Sequence, residues 1–161
     1  MRVGDLMSRE VVALSPKDSL RDAYTKMLKN GFRHVVVLEG SKLVGILSDR
    51  DVMTRAVKDA KGLDVPAIPI AEVMAINLLT CRPEATVGKA AGIMVTAKID
   101  ALPVVDALGT LVGIVTSTDM LSYLAEHGNA PAKLLPVMSD QSVAAQETPM
   151  SWVRARISYL T

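Results

Sequence analysis

The chain has 161 residues, enough for one ordinary domain or for two small ones that share a core. Its 18 Lys and Arg residues nearly balance its 17 Asp and Glu residues, so the formal net charge of +1 gives no long-range attraction to nucleic acid or to an anionic membrane. A single cysteine excludes a disulfide framework, and without an apolar stretch suited to a signal peptide or a membrane span we expect a cytoplasmic protein.

The first half of the chain predicts a β-α-β-β-α order of elements. Ser19, followed three residues later by Asp22, forms the pattern of a capping box at the start of a helix, and Gly31 is suited to the end of that helix. A second helix begins with Asp49, an acid suited to the positive end of the helix dipole. The predicted elements are a strand at residues 10–14, a helix at 19–30, strands at 34–38 and 43–47 joined by a hairpin, and a helix at 49–58.

The second half of the chain predicts the same order again. Pro66 and Pro69 indicate that the connection between the halves is extended and not helical. After residue 126 a loop composition rich in Pro, Ala and Ser gives way to Met150, Val153 and Ile157, which recur at the spacing of an amphipathic helix. The elements predicted here are a strand near residues 78–81, a helix at 86–97, strands at 101–105 and 111–115, a helix at 117–126 and a C-terminal helix.

The two halves are copies of one sequence unit. A shift of 67 residues places Met7 on Met74, and a shift of 68 residues places Gly45 on Gly113. Proline, glycine and acidic positions agree as well as apolar ones, so coincidence between apolar segments does not explain the match. Because a unit of this size rarely folds alone, we expect an α/β (α+β) protein in which two β-α-β-β-α repeats pack sheet to sheet. The predicted boundaries are 3–60 for the first repeat, 61–69 for a linker, 70–126 for the second repeat and 127–161 for a loop and the C-terminal helix.

One motif, Gly-x-x-Ser/Thr-x-x-Asp, stands at the same place in both units. With its surroundings, KLVGILSDRD in the first unit and TLVGIVTSTD in the second, it resembles the motif of cystathionine-β-synthase-type (CBS) domains. The resemblance covers about residues 3–124 and implies a tandem CBS pair, which senses adenosine nucleotides without chemistry of its own and usually associates into dimers. The motif residues are Gly45, Ser48 and Asp51 in the first repeat and Gly113, Thr116 and Asp119 in the second.

The resemblance places a nucleotide at each junction between a strand and the following helix. The hydroxyl groups of Ser48 and Thr116 are suited there to donate to a phosphate or to cap the helix. Asp51 and Asp119, three residues further on, are suited to accept hydrogen bonds from both ribose hydroxyls, as an acid does in dinucleotide folds. The same pattern is also a plain capping box, and the two roles are compatible.

Basic residues in the first repeat suit the phosphates of such a ligand. The resemblance implies that Arg33 and His34 face the phosphates, and Arg50 adds a third potential cationic donor. The alternatives are a solvated turn residue for Arg33 and a partly buried imidazole for His34. The equivalent positions of the second repeat carry Asp100, Ala101 and Thr118. We therefore expect two clefts, of which the first accepts di- or triphosphates and the second prefers AMP, an uncharged adenosine compound or nothing.

The adenine is expected against the first strand of each repeat and the strand after its helix. Aliphatic side chains clamp a base there while backbone amides read its edge. These positions are also ordinary core positions. The candidate residues are Val11, Val12, Ala13 and Val35 in the first repeat and Leu79, Thr80, Leu102 and Pro103 in the second.

A regulatory module is favoured over an enzyme. The sequence has no convergent Ser/His/Asp set, no Gly-rich phosphate loop and no paired catalytic acids, and Cys81 has no Cys or His near it in sequence that would indicate a metal site. The expected ligand is AMP, ADP or ATP, with S-adenosylmethionine or NAD as further candidates. The alternative function is a structural or interaction module with empty clefts.

The expected partners are a second copy of the chain and an unidentified protein, and neither nucleic acid nor a membrane. Apolar helix faces beyond what one small body can bury indicate a homodimer, since a closed two-fold pair is the commonest assembly. The faces assigned to this contact are those of Leu20, Ala23 and Met27 and those of Val87, Ala91 and Met94.

Overall fold

The computed structural model describes residues 1–60 and 62–128. Four α-helices and seven strands lie within these residues. The helices are α1 (Leu20–Asn30), α2 (Asp49–Met53), α3 (Val87–Ala97) and α4 (Ser117–His127). The strands are β1 (Ala13–Leu14), β2 (His34–Glu39), β3 (Lys42–Ser48), β4 (Val57–Asp59), β5 (Gly62–Asp64), β6 (Ala101–Val105) and β7 (Leu111–Thr116). Short 3₁₀ helices lie at the start of each repeat, at Val3–Asp5 and Ile70–Glu72, and residues 1–126 form one compact unit.

The first repeat packs α1 against a three-stranded sheet. β1 covers only the last two residues of the strand predicted at 10–14 and runs parallel to β2, which pairs antiparallel with β3. Leu20, Ala23 and Met27 are buried on one side of α1, so the predicted helix is confirmed, whereas Leu28, predicted on the same buried stripe, is 46% exposed. The helix ends at Gly31, whose φ of 73° is a left-handed conformation that glycine adopts without strain.

The start of α1 differs from the prediction. The Ser19 side chain makes no capping hydrogen bond, so the capping box predicted with Asp22 is wrong. The amide of Leu20 instead donates to the carbonyl of Ile68 at 2.8 Å, because the connection between the repeats lies against this end of the helix. A backbone carbonyl from a distant part of the chain thus satisfies one of the open donors at the helix start.

The second repeat has the same layout with a smaller sheet. β6 and β7 form an antiparallel pair, and α3 buries Ala90 and Met94. The strand predicted at 78–81 is reduced to a parallel bridge between Cys81 and Val104. Together the two halves have the mixed α/β architecture expected from the repeat.

The chain after α2 also differs from the prediction. The helix predicted at 49–58 ends at Met53, because the amide and the hydroxyl of Thr54 both donate to the carbonyl of Asp51, at 3.1 and 2.7 Å. The antiparallel hairpin of β4 and β5 follows, so the first part of the predicted extended connection is a strand. Gly62, with a φ of 124°, lies in the conformation that this turn needs.

The sheets of the two repeats pack against each other, as the repeat predicts. Val36 on β2, Ala101 on β6 and Ile114 on β7 form a buried cluster between them. Each repeat also has its own core between its sheet and its helices. The helix faces predicted to form a homodimer contact these two cores instead, and the prediction is wrong for the buried residues Leu20, Ala23, Met27 and Met94, whereas Val87 and Ala91 are only partly buried beside the second core.

The residues that lead into each repeat pack on the other repeat. Val3 is buried in the core of the second repeat, and Ile70 is buried in the core of the first. The Val3 amide donates to the carbonyl of Ala85 at 2.8 Å, and the Ile70 amide donates to the carbonyl of Asp18 at 2.9 Å. Neither core is complete without a segment from the other half of the chain. We refer to residues 3–8 and 70–75 as the exchanged segments.

The exchanged segments explain the glycines of the repeated motif. A Cβ atom at Gly113 would lie 2.7 Å from the sulfur of Met7 and 2.8 Å from the carbonyl oxygen of Ser8. A Cβ atom at Gly45 would collide with the sulfur of Met74. The motif therefore serves the packing between the repeats as well as the junction of strand and helix.

The loop and the C-terminal helix predicted after residue 128 lie outside the described residues. Within residues 1–60 and 62–128, no helix combines the length and the apolar character needed to cross a bilayer. In the same part of the chain, His, Cys, Asp and Glu side chains form no group that could hold a metal ion.

Candidate functional site

A cavity of about 240 Å³ lies where the two repeats meet. Its walls come from the end of β3 and the start of α2 in the first repeat, and from residues 75–79 and the start of β6 in the second. Two backbone hydrogen bonds between Ile46 and Ala75, of 3.1 and 2.9 Å, hold residues 75–79 beside β3. The cavity therefore joins the strand–helix junction of one repeat to a strand edge of the other.

Many of the site residues predicted from the sequence line this cavity. They are Arg33, His34, Ser48, Arg50, Asp51, Leu79, Asp100, Ala101 and Pro103. The sequence predicts them in two separate clefts, one in each repeat, whereas the structure brings these nine residues together in one cavity. Because the sheets pack face to face, the end of β3 lies beside the start of β6, and residues of both repeats share one cavity.

The other predicted residues lie outside this cavity. Val35 and Leu102 are fully buried in the cores of their own repeats, so their assignment to a base-binding surface is wrong. The reason is the alternation of side chains along a strand, which turns the neighbouring Val36 and Pro103 to the opposite side of the sheet. The remaining residues outside the cavity are Val11, Val12, Ala13, Thr80, Thr116, Thr118 and Asp119.

Ser48 and Asp51 form a capping box at the start of α2. The Oδ2 atom of Asp51 accepts hydrogen bonds from the Ser48 amide at 2.8 Å and from the Ser48 hydroxyl at 2.6 Å, and the Asp51 amide donates to that hydroxyl at 3.2 Å. Thr116 and Asp119 repeat this geometry at the start of α4, with distances of 2.7, 2.8 and 3.2 Å. Within the described residues these bonds leave the other oxygen of Asp51, Oδ1, with two acceptor positions for a ligand.

Arg33 is held by Asp49, an acid that the sequence analysis interpreted only as a helix start. The Nε and Nη2 atoms of Arg33 donate to the two carboxylate oxygens at 2.9 and 3.4 Å. The side-chain hydrogen bond with Asp49 is the main cause of the raised pKa of Arg33, and the charges of Asp49 and Asp100 add to it against the effect of burial. A phosphate that approached Arg33 would therefore share it with Asp49.

Arg50 forms an ion pair with Asp100 at 3.3 Å, and this pair connects the two repeats. Arg50 lies in the first turn of α2, and Asp100 lies directly before β6. The side chains are 69% and 38% exposed, so water screens their attraction. Arg50, a predicted phosphate donor of the first repeat, thus contacts Asp100, the acid predicted to weaken phosphate binding in the second.

The environment of His34 favours its neutral form. Burial lowers the pKa of its imidazole from the ordinary 6.5, the charge of Arg33 lowers it further, and the nearby aspartates oppose this shift without cancelling it. His34 is therefore a weaker cationic donor to a phosphate than the sequence predicts. A neutral imidazole offers one N–H donor and one acceptor nitrogen to a ligand.

The charged side chains of the cavity balance one another. Three cations, Arg33, Arg50 and Lys98, stand with three carboxylates, Asp49, Asp51 and Asp100. A phosphate group therefore meets a site in which both arginines already have an acidic neighbour. The uncharged wall of Leu79, Ala101 and Pro103 suits the flat face of a base.

Sequence reasoning missed part of the segment near the start of the second repeat. Asn77 and Leu78 line the cavity beside Leu79. The sequence repeat does point to Leu78, since the shift of 67 residues places it on Val11, which is predicted to contact the adenine. No comparable signal pointed to Asn77, whose side-chain amide adds both donors and an acceptor to the wall.

The comparisons with known proteins agree with this architecture. Residues 3–58 and 70–126 match the family described as CBS domain. An uncharacterised protein of Methanocaldococcus jannaschii is 31% identical over an alignment of 131 residues. The alignment covers 76% of this chain and 47% of that relative's length.

Two solved structures have the same fold. The CBS domain pair of protein MJ0100, in complex with 5′-methylthioadenosine and S-adenosyl-L-methionine, superposes with a TM-score of 0.69 at 27% identity and covers 78% of this chain and 97% of that one. The cytosolic domain of the Mg²⁺ channel MgtE, in complex with ATP, superposes with a TM-score of 0.62 at 27% identity and covers 76% and 48% of the two chains. With two matched repeats, their sheets packed face to face and the repeated capped aspartate, this chain belongs to the CBS domain family.

Proposed function

We propose that this chain is a non-catalytic regulatory module that binds an adenosine-containing small molecule in the cavity between its repeats. The observation that carries the proposal is Asp51, which lines the cavity with one carboxylate oxygen fixed by the capping box and the other available to two ribose hydroxyls. The similar CBS structures are complexes with 5′-methylthioadenosine and S-adenosyl-L-methionine and with ATP, and these ligands have an adenosine in common.

Each part of such a ligand has suitable residues in the cavity. The ribose hydroxyls bind Oδ1 of Asp51, and the base lies against Leu79 and Pro103. The substituent at the 5′ position points toward Arg33 and Arg50, where a phosphate receives charge-assisted hydrogen bonds. AMP, ADP, ATP, S-adenosylmethionine and NAD all contain this adenosine part and are the candidate ligands.

The ligand state passes to a partner protein through the contact between the repeats. Because the cavity walls come from both repeats, an occupied cavity changes the free energy of their mutual packing. We assign residues 3–60 and 70–126 to the two domains, 61–69 to the linker and 127–161 to a tail, and we infer that the module acts as a homodimer.

A thermal unfolding panel tests the proposal. Purified protein is heated with AMP, ADP, ATP, S-adenosylmethionine or NAD, and the preferred ligand raises the melting temperature. A ligand at 100 times its Kd adds about 2.7 kcal/mol to the free energy of unfolding, which is a measurable shift. A panel without any shift would contradict the proposal.

The substitution Asp51→Asn tests the role of the carboxylate. The amide of asparagine keeps one oxygen for the Ser48 hydrogen bonds but loses the second acceptor, so we expect at least tenfold weaker binding, since a hydrogen bond to a charged group contributes about 1.5–3 kcal/mol. Asp119→Asn is the matched control, because it changes the same capping geometry outside this cavity. Equal affinity in wild type and Asp51→Asn, measured by calorimetry, would show that Asp51 does not bind the ribose.

The second candidate function is an interaction module with an empty cavity. The observation that favours it is the pairing of Arg33 with Asp49 and of Arg50 with Asp100, which satisfies the cations within the protein. If the module acts with an empty cavity, no ligand in the panel raises the melting temperature. Asp51→Asn and Asp119→Asn then change the free energy of unfolding by the same amount.

A further inference from the structure

Arg33 and Asp100 occupy equivalent positions of the two repeats but have different partners. The Asp49 amide donates to the Arg33 carbonyl, and the Ser117 amide donates to the Asp100 carbonyl, each at 2.9 Å. In the first repeat, the Asp49 side chain also pairs with Arg33. In the second repeat, Ser117 offers no charge, and the carboxylate of Asp100 pairs across the repeats with Arg50.

The carboxylate of Asp100 lies among the groups that a ligand phosphate would use. It is 3.3 Å from Nη2 of Arg50. Its charge also reaches Arg33, where it contributes to the raised pKa after the hydrogen bond and the charge of Asp49, and His34, where it opposes the dominant effect of burial. All four side chains line the same cavity. The Asp100 carboxylate thus lies close to the position expected for the phosphate of the ligand.

Both members of the Arg50–Asp100 ion pair also line a second, more open depression. This depression has a volume of about 410 Å³ and shares Arg50, Lys98, Ile99 and Asp100 with the cavity. Because both members of the pair are partly exposed, the pair contributes little to stability. Arg50 is therefore able to exchange Asp100 for another anion at small cost.

We propose that Asp100 is a built-in competitor for the phosphate of the ligand. Its carboxylate holds Arg50 across the repeats, and a phosphate-bearing adenosine compound has to take Arg50 from it. Adenosine itself leaves the pair in place. Asp100 therefore sets how strongly the cavity prefers a phosphorylated ligand, and the charge of the ligand decides whether this link between the repeats persists. The inference rests on the proposed function and names the residue that controls ligand choice within it.

Calorimetric titrations with adenosine and with AMP test the inference. In Asp100→Asn we expect AMP to bind at least fivefold more tightly than in wild type, because one negative charge near the phosphate is removed. Adenosine is expected to bind within twofold of wild type. The matched control is Asp64→Asn, because Asp64 pairs with the exposed Arg21 at 3.1 Å and neither residue lines the cavity. This control should change neither affinity.

A second pair of variants tests whether Asp100 acts through Arg50. Arg50→Gln should weaken AMP binding, and Asp100→Asn should improve it less in the Arg50→Gln background than in wild type. Asp100→Ala is the alternative substitution, and thermal unfolding without ligand checks that each variant folds.

The outcomes separate this inference from the proposed function. If adenosine and AMP bind but Asp100→Asn and Asp100→Ala leave the ratio of their affinities unchanged, the competitor role is overturned and the proposed function stands. If Asp100→Asn strengthens both ligands equally, the competitor role is also overturned. If neither ligand binds any variant, both the proposed function and the inference fail.

Discussion

The polar side chains of the cavity are tied to one another by short contacts. Asp51 is fixed to Ser48 within the junction of β3 and α2, and Arg33, directly before β2, is fixed to Asp49 at the start of α2. Groups positioned in this way lose little freedom when a ligand binds, which favours affinity. The same contacts compete with the ligand, so affinity and selectivity depend on which of them the ligand replaces.

Protonation of His34 is expected to make stability depend on pH. Because burial lowers the pKa of His34 below 6.5, the folded protein binds fewer protons at this group than the unfolded chain does as pH falls below that value. The stability contribution is therefore complete above pH 6.5 and is lost progressively below it. Denaturant unfolding at several pH values between 5 and 8, about the range in which histidine titrates, measures this slope.

The substitution His34→Gln isolates the effect. We expect a smaller loss of stability between pH 7 and pH 5.5, around the ordinary histidine pKa, than in wild type. Identical slopes in His34→Gln and wild type would rule out a lowered pKa at His34.

At the scale of elements, the exchanged segments decide which positions tolerate a side chain. We expect Gly113→Ala to destabilise the protein by about 1–3 kcal/mol, because the new Cβ would lie 2.8 Å from the backbone oxygen of Ser8. Gly88→Ala is the matched control, since nothing lies within 4 Å of a Cβ at this position of α3. That control should stabilise the helix by about 0.5–1 kcal/mol. Urea unfolding compares the two variants, and equal stability would contradict the tight contact.

The elements that follow from local patterns were predictable, and those set by distant contacts were not. The stripe of Leu20, Ala23 and Met27 and the glycine after it predict α1 because helix periodicity and the C-cap are local properties. The uncapped Ser19 depends on Ile68, which no local pattern connects to it.

The same division holds for the candidate site. The repeated Ser/Thr-x-x-Asp pattern predicted the geometry around Asp51, since its partner Ser48 is three residues away. The contact of Arg50 with Asp100 depends on which residues of the two sheets lie opposite each other. The repeat predicts that the sheets pack together, but it does not predict which residues meet. The sequence predicts Val35 at the base-binding surface, but Val35 faces the core of its own repeat and its neighbour Val36 faces the other sheet. A strand that is apolar on both faces does not show from its sequence which face points to which layer.

At the scale of the whole molecule, helices α3 and α4 expose apolar side chains. Val95 is 78% exposed, and Leu121 and Leu124 are 65% and 59% exposed. Among the described residues of α3 and α4, these are the large apolar side chains with most of their surface exposed. They support the proposed homodimer, since such side chains are expected in contacts between subunits.

Light scattering coupled to size exclusion tests the homodimer. We expect a mass of about 34 kDa, twice the 17.2 kDa of one chain. Leu121→Glu should shift the mass toward the monomer, because a charge in an apolar contact is costly to bury. Leu108→Glu is the control, since Leu108 is 92% exposed in the turn between β6 and β7. A monomer at tens of micromolar, well above the Kd of an ordinary stable dimer, would exclude this assembly.

The exchanged segments also set an order of events during synthesis on the ribosome. The core of the first repeat is completed by Ile70, so this repeat closes only when the segment after its own hairpin has been made. Val3 and Met7 precede both repeat cores in the chain but find their partners around Val115, near the end of the second repeat. Until the second repeat has been synthesised these two apolar side chains have no core to enter, which exposes them to chaperones and to wrong contacts. The residues that lead into the first repeat are thus among the last of the repeat pair to reach their native positions.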